Sequence, residues 1–111
     1  MTTAGWVAVA GRGPGAAALV TPEVTATIAQ ATDIVGYIPY VARIAPRPGL
    51  TLHPSDNRVE LDRAALSLDM AAKGARVVIV SSGDPGVFAM ASALFEALET
   101  RPDLHHLDIR I

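Results

Sequence analysis

The chain has 111 residues, half of them hydrophobic, with 18% charged and a formal net charge of −2; one domain with a real core is expected, and the low charge, against roughly 25% on average, points to surface covered by another domain or subunit. No basic stripe or acidic tail is present, which argues against nucleic acid and anionic membrane as partners, and the apolar runs fall far short of a membrane span. The lack of cysteine removes disulfides, thiol nucleophiles and thiolate metal sites, and with no signal-peptide pattern at the N-terminus a cytoplasmic location is expected.

Trp6 to Ala10 is short, apolar and partly β-branched, and reads as a buried strand that the glycine cluster Gly11-Arg12-Gly13-Pro14-Gly15 ends. Thr21, Pro22 and Glu23 supply an N-cap, a proline at the first helical position and an acid in the first turn. Val24, Ile28 and Ala31 follow at helical spacing, so a helix is predicted from about Pro22 to Ala31. Asp33 to Tyr37 reads as a second strand. Tyr40 to Ala45 reads as a brief helix that Pro46, Pro48 and Gly49 break, and Leu50 to His53 as an edge strand.

Asn57 to Glu60 has capping-box spacing. Leu61, Ala64, Ala65, Leu68, Ala71 and Ala72 then recur with a helical period, while Glu60, Asp62, Arg63, Asp69 and Lys73 take the other positions. Gly74 stands where a C′ residue ends the helix. Val77 to Val80 is a β-branched run without polar alternation, expected to be a central strand covered on both faces. Ser81 to Gly86 is read as a turn, Val87 to Leu98 as a helix that Pro102 ends, and Leu107 to Ile111 as one more strand. The alternation predicts an α/β fold: a mostly parallel sheet of about four to five strands, right-handed crossovers and helices on both faces. Both glycine-rich turns, at 11–15 and 83–86, follow strands and belong on the carboxyl edge, where such sheets bind ligands.

Two readings stand side by side at each turn. Glycines at 11, 13 and 15 allow a ligand to approach the backbone, and they equally suit a tight strand-to-helix connection. The first turn matches neither a dinucleotide fingerprint nor a phosphate-binding loop. In the second, Asp84 can accept hydrogen bonds from a ligand, or it is an N-cap followed by proline.

Three motifs in order now carry a resemblance that spans nearly the whole chain. They are Gly11-Arg12-Gly13-Pro14-Gly15 after a strand, Val35 to Val41 with Glu60 and Arg63-Ala64, and Val80-Ser81-Ser82-Gly83-Asp84-Pro85-Gly86-Val87-Phe88 through Ala91. In these the chain resembles the tetrapyrrole (corrin/porphyrin) methylases, and among them the branch that methylates precorrin-3B at C17. Ala16 departs from the Asp or Ser usual after the first turn.

The resemblance implies the fold read above and methyl transfer from S-adenosylmethionine (SAM) in cobalamin biosynthesis, with ring contraction. It implies that Pro14, Ser82, Gly83, Asp84 and Val87 contact SAM, mostly through backbone, with Phe88 packing nearby. Arg12, Tyr37 and Tyr40 are expected at the tetrapyrrole, and Arg43 is a second candidate for its carboxylates. No metal is needed, the catalytic base is unassigned, and a homodimer is expected. Residues 1–111 correspond to the N-terminal domain, with the family's C-terminal domain absent, so this chain alone is expected to bind SAM weakly or not at all. Two other functions are a different precorrin or uroporphyrinogen methylation, and a truncated, non-catalytic dimerisation or binding domain. His53, His105 and His106 lack metal spacing with a third ligand, Glu60 and Arg63 read as helix cap and surface decoration, and Trp6 as core or interface.

Overall fold

The computed structural model describes residues 5–12, 22–56 and 60–111, with the side chains of residues 12, 22–24 and 82–85 left out. Five strands form one parallel sheet: β1 (Trp6–Arg12), β2 (Asp33–Tyr37), β3 (Thr51–Ser55), β4 (Arg76–Ser82) and β5 (Asp108–Arg110), in the order β3-β2-β4-β1-β5. Four helices connect them: α1 (Pro22–Gln30), α2 (Ile38–Val41), α3 (Glu60–Ala72) and α4 (Gly83–Glu99), with a 3₁₀ turn at Pro102–Leu104.

The strands alternate their side chains between two cores. Val7 and Val9 of β1, Val35 of β2, and Val77 and Ile79 of β4 pack with Ala64, Leu68 and Ala71 of α3 and Met90, Ala93 and Leu94 of α4. On the other face Trp6, Ala8 and Ala10, Ile34, and Val78 and Val80 pack with Ala31, Val41 and Ile44, and with Ile28 of α1. The run Val77–Val80 is therefore buried from both sides, at most 2% exposed, because β4 is the middle strand of five.

Four expectations shift. β1 continues through Gly11 and Arg12, which pair with Ser81 and Ser82; parallel pairing to β4 carries the strand into the glycine cluster. The brief helix is Ile38–Val41 rather than Tyr40 to Ala45, with Pro39 in its first turn, where the missing N–H costs nothing. The edge strand is Thr51–Ser55, set by its register against β2. Ser81 to Gly86 is not a loop: β4 runs to Ser82 and α4 begins at Gly83.

Candidate active site

Topology makes the carboxyl end of β4 unusual. The chain leaves β1 and β2 toward the α1–α2 face, whereas it leaves β4 toward the α3–α4 face. A crevice opens wherever neighbouring strands send their connections to opposite faces. The end of β4 has such a neighbour on each side, β1 and β2.

On the β1 side, Gly11 and Arg12 stand level with Ser81 and Ser82. The start of the first glycine-rich segment thus lies level with the two residues that precede Gly83 at one sheet edge, while Gly13 to Gly15 lie outside the described residues. Because α4 starts directly after β4, Gly83 and Asp84 occupy its first turn, and their N–H groups have no intrahelical acceptor. Pro85 has no N–H to leave unpaired. Pro14 lies outside the described residues. Val87 is partly buried and packs at the margin of the α3–α4 core, while Phe88 is 74% exposed.

On the β2 side lies a cavity of about 150 Å³ lined by Tyr37, Tyr40, Glu60, Arg63, Val80, Ser81, Gly86, Ala89 and Met90. Tyr37 ends β2 and Tyr40 sits in α2, their rings edge-to-face with centroids 5.7 Å apart. Gly36 lets β2 lie close to β4 and α2: a Cβ there would lie 2.6 Å from Val80 Cγ2 and 3.2 Å from Val41 Cγ2.

Arg63 corrects the sequence reading. It is 7% exposed rather than a surface residue. Its Nε donates to Ser55 Oγ at 2.7 Å, and its Nη2 donates to the Ser55 carbonyl at 3.3 Å and to the Asp56 carbonyl. Burial pushes the guanidinium below its ordinary pKa, and the Glu60 carboxylate opposes that shift. A helical period marks positions 60 and 63 as polar; it carries no sign that the end of β3 folds over one of them. Residues 60, 63, 81, 86, 89 and 90 were thus missed as one wall of a cavity with Tyr37 and Tyr40.

The remaining candidates fall elsewhere. Arg43 is exposed on the turn after α2. His53 pairs with Asp33 at 2.8 Å between β3 and β2, His105 Nε2 lies 2.8 Å from the Leu98 carbonyl, and His106 is exposed. Among the described residues no group of His, Asp and Glu is placed to hold a metal ion, and no helix is long and apolar enough to cross a membrane.

Residues 7–109 match the family model described as Tetrapyrrole (Corrin/Porphyrin) Methylases. The precorrin-3B C(17)-methyltransferase of Sinorhizobium sp is 49% identical over 98 residues, 88% of this chain and 39% of that protein. The cobalamin biosynthesis protein CobIJ of Mycobacterium tuberculosis is also 49% identical over 98 residues, 88% of this chain and 19% of that protein. The crystal structure of the methyltransferase CobJ superposes with a TM-score of 0.90 at 77% identity, covering 96% of this chain and 45% of that one. The chain therefore spans less than half the length of each of these relatives. The matched family model, the parallel sheet and the pairing of Gly11–Arg12 with Ser81–Ser82 at its carboxyl edge agree: the chain belongs to the tetrapyrrole methylase family.

Proposed function

We propose that this chain is part of a SAM-dependent methyltransferase of cobalamin biosynthesis that methylates precorrin-3B at C17 with ring contraction. The names and 49% identity of the relatives support the acceptor. The observation that carries the reading is the level register of Gly11–Arg12 with Ser81–Ser82 at a crevice between strands whose connections diverge.

The bound sulfonium supplies an already activated methyl group, so the protein's main task is to position donor and acceptor. The N–H groups of Gly83 and Asp84, which have no intrahelical acceptor in the first turn of α4, suit the polar end of SAM, with Pro14, Ser82 and Val87 completing its wall. Gly83 leaves room for close backbone approach. Arg12, Tyr37 and Tyr40 border the tetrapyrrole. Residues 1–111 supply one side of the crevice and the longer relatives' further chain supplies the other, in a homodimeric enzyme.

The test is SAM-dependent methylation of precorrin-3B by an enzyme of the relatives' full length carrying these residues, with product followed by mass. Product one methyl group heavier is expected, and an unmethylated acceptor would overturn the reading. In the same enzyme Asp84→Ala, which removes the carboxylate as a hydrogen-bond acceptor and keeps the backbone N–H, is expected to raise the SAM dissociation constant about tenfold, the scale of one hydrogen bond to a charged group; an unchanged constant by calorimetry removes the Asp84 side chain from the site.

A further inference from the structure

The Arg63 guanidinium is buried but has no carboxylate within ion-pair distance among the described residues. Its hydrogen bonds use Nε and Nη2 and end on a hydroxyl and two carbonyls, all neutral. Buried charges are ordinarily paired. Nη1 has no hydrogen-bond acceptor among the described residues, and Arg63 lines the cavity beside the end of β4.

The cavity's other walls are graded. Val80, Ala89 and Met90 offer carbon, while Ser81 and the two tyrosines offer polar groups. Its volume of about 150 Å³ equals that of roughly five liquid waters. That accommodates a carboxylate on a short alkyl arm, and excludes a macrocycle. The cavity opens at the same sheet edge as the glycine segments, so an arm held here leaves its parent ring over the crevice.

We infer that this cavity is a carboxylate-binding subsite, with Arg63 as the counter-charge for one short acidic arm of a ligand. The identity of that ligand rests on the methyltransferase reading: a tetrapyrrole bearing acetate and propionate arms offers such a group at its rim, and the methionyl carboxylate of SAM is the second source. Glu60 shares the cavity and repels an incoming carboxylate, which fixes the sign of a conservative variant. Glu60→Gln strengthens the binding of an anion and weakens that of a cation.

The experiment is an NMR titration of the 111-residue chain with propionate, propionamide, uroporphyrin I and SAM, following the amides of Ser81, Ala89 and Met90 and the Arg63 Nε. Propionate is expected to shift these signals and propionamide to leave them in place. Glu60→Gln is expected to tighten propionate about two- to fivefold, the range of a weak charge pair. Arg63→Lys is expected to weaken it about tenfold. Ala89→Leu, which fills the cavity from α4 and leaves Arg63 in place, is expected to abolish it and keeps the test valid if Arg63→Lys fails to fold.

Equal effects of propionate and propionamide, or weaker propionate binding by Glu60→Gln, would overturn the subsite. Uroporphyrin binding that leaves these four signals unmoved takes the acceptor's arm out of the subsite, while the tetrapyrrole reading stands. Competition with propionate by uroporphyrin assigns the arm to the acceptor, and competition by SAM assigns it to the donor. Propionate seated at Arg63 with no competition from either confirms the subsite and leaves the methyltransferase reading standing, since that reading takes the other side of the crevice from the longer relatives' further chain.

Discussion

A side chain at position 36 would collide with its neighbours: a Cβ there falls 2.6 Å from Val80 Cγ2, 2.9 Å from the Val80 carbonyl oxygen and 3.2 Å from Val41 Cγ2. The first and third atoms are branched side chains already packed in the core, and the second belongs to the β4 backbone. Relief therefore requires β2 to move away from β4, the two strands that carry Tyr37 and Ser81 into the Arg63 cavity. Gly36→Ala is expected to cost about 1–3 kcal/mol as overpacking. Urea unfolding measures the loss, and an unchanged midpoint would show that β2 and β4 separate freely. Arg63 shows the complementary effect at this scale. One helix position that looks like surface charge is drawn inward because the oxygens of Ser55 and Asp56 meet its guanidinium.

Helix α3 ends as its residues dictate. Ala75 N–H donates to the Met70 carbonyl and Gly74 N–H to the Ala71 carbonyl, each at 3.0 Å, the hydrogen-bond pair of a Schellman cap. The cap holds Gly74 at φ 101°, a conformation costly for any residue with a Cβ. Gly74→Ala is expected to destabilise the fold by about 1–2 kcal/mol, read from the thermal midpoint; no shift would mean that the cap is not formed. Elements of this kind were legible because their signals are local: apolar period, capping residues and terminal glycine lie within one helix. The second strand, Asp33–Tyr37, was legible to the residue for the same reason. The joint at Ser81 to Gly86 was not, since glycine, aspartate and proline are turn residues as well as first-turn helix residues. Packing of Met90 and Leu94 against β1, β4 and α3 decides for the helix. The cavity was still less legible, because its walls come from β2, α2, α3, β4 and α4, and no spacing along the chain reports which element ends converge.

Across the whole molecule the sheet is unequal. β4 is shielded by a strand on each side and a helix layer on each face, whereas β5 pairs through only three residues, Asp108, Ile109 and Arg110, with Trp6, Val7 and Ala8. Hydrogen bonding alone makes β5 a weak edge. Its anchor lies just before it: Leu104 and Leu107, 3% and 7% exposed, enter the α3–α4 core beside Val7 and Val9. On the opposite face the Arg110 guanidinium lies 4.6 Å from the Trp6 ring centroid. Loss of the anchor releases β5 and turns β1, which borders the proposed SAM crevice, into an open edge. Leu107→Ala is therefore expected to cost about 2–5 kcal/mol, as for a buried leucine in a close-packed core. Arg110→Ala is expected to cost about 0.5–1 kcal/mol, as for an exposed cation–π pair. Urea unfolding of both variants distinguishes a buried anchor from a surface clasp. If Leu107→Ala falls within about 0.5 kcal/mol of the parent, the range of ordinary surface changes, β5 is an appendage and the four strands β3, β2, β4 and β1 carry the fold alone.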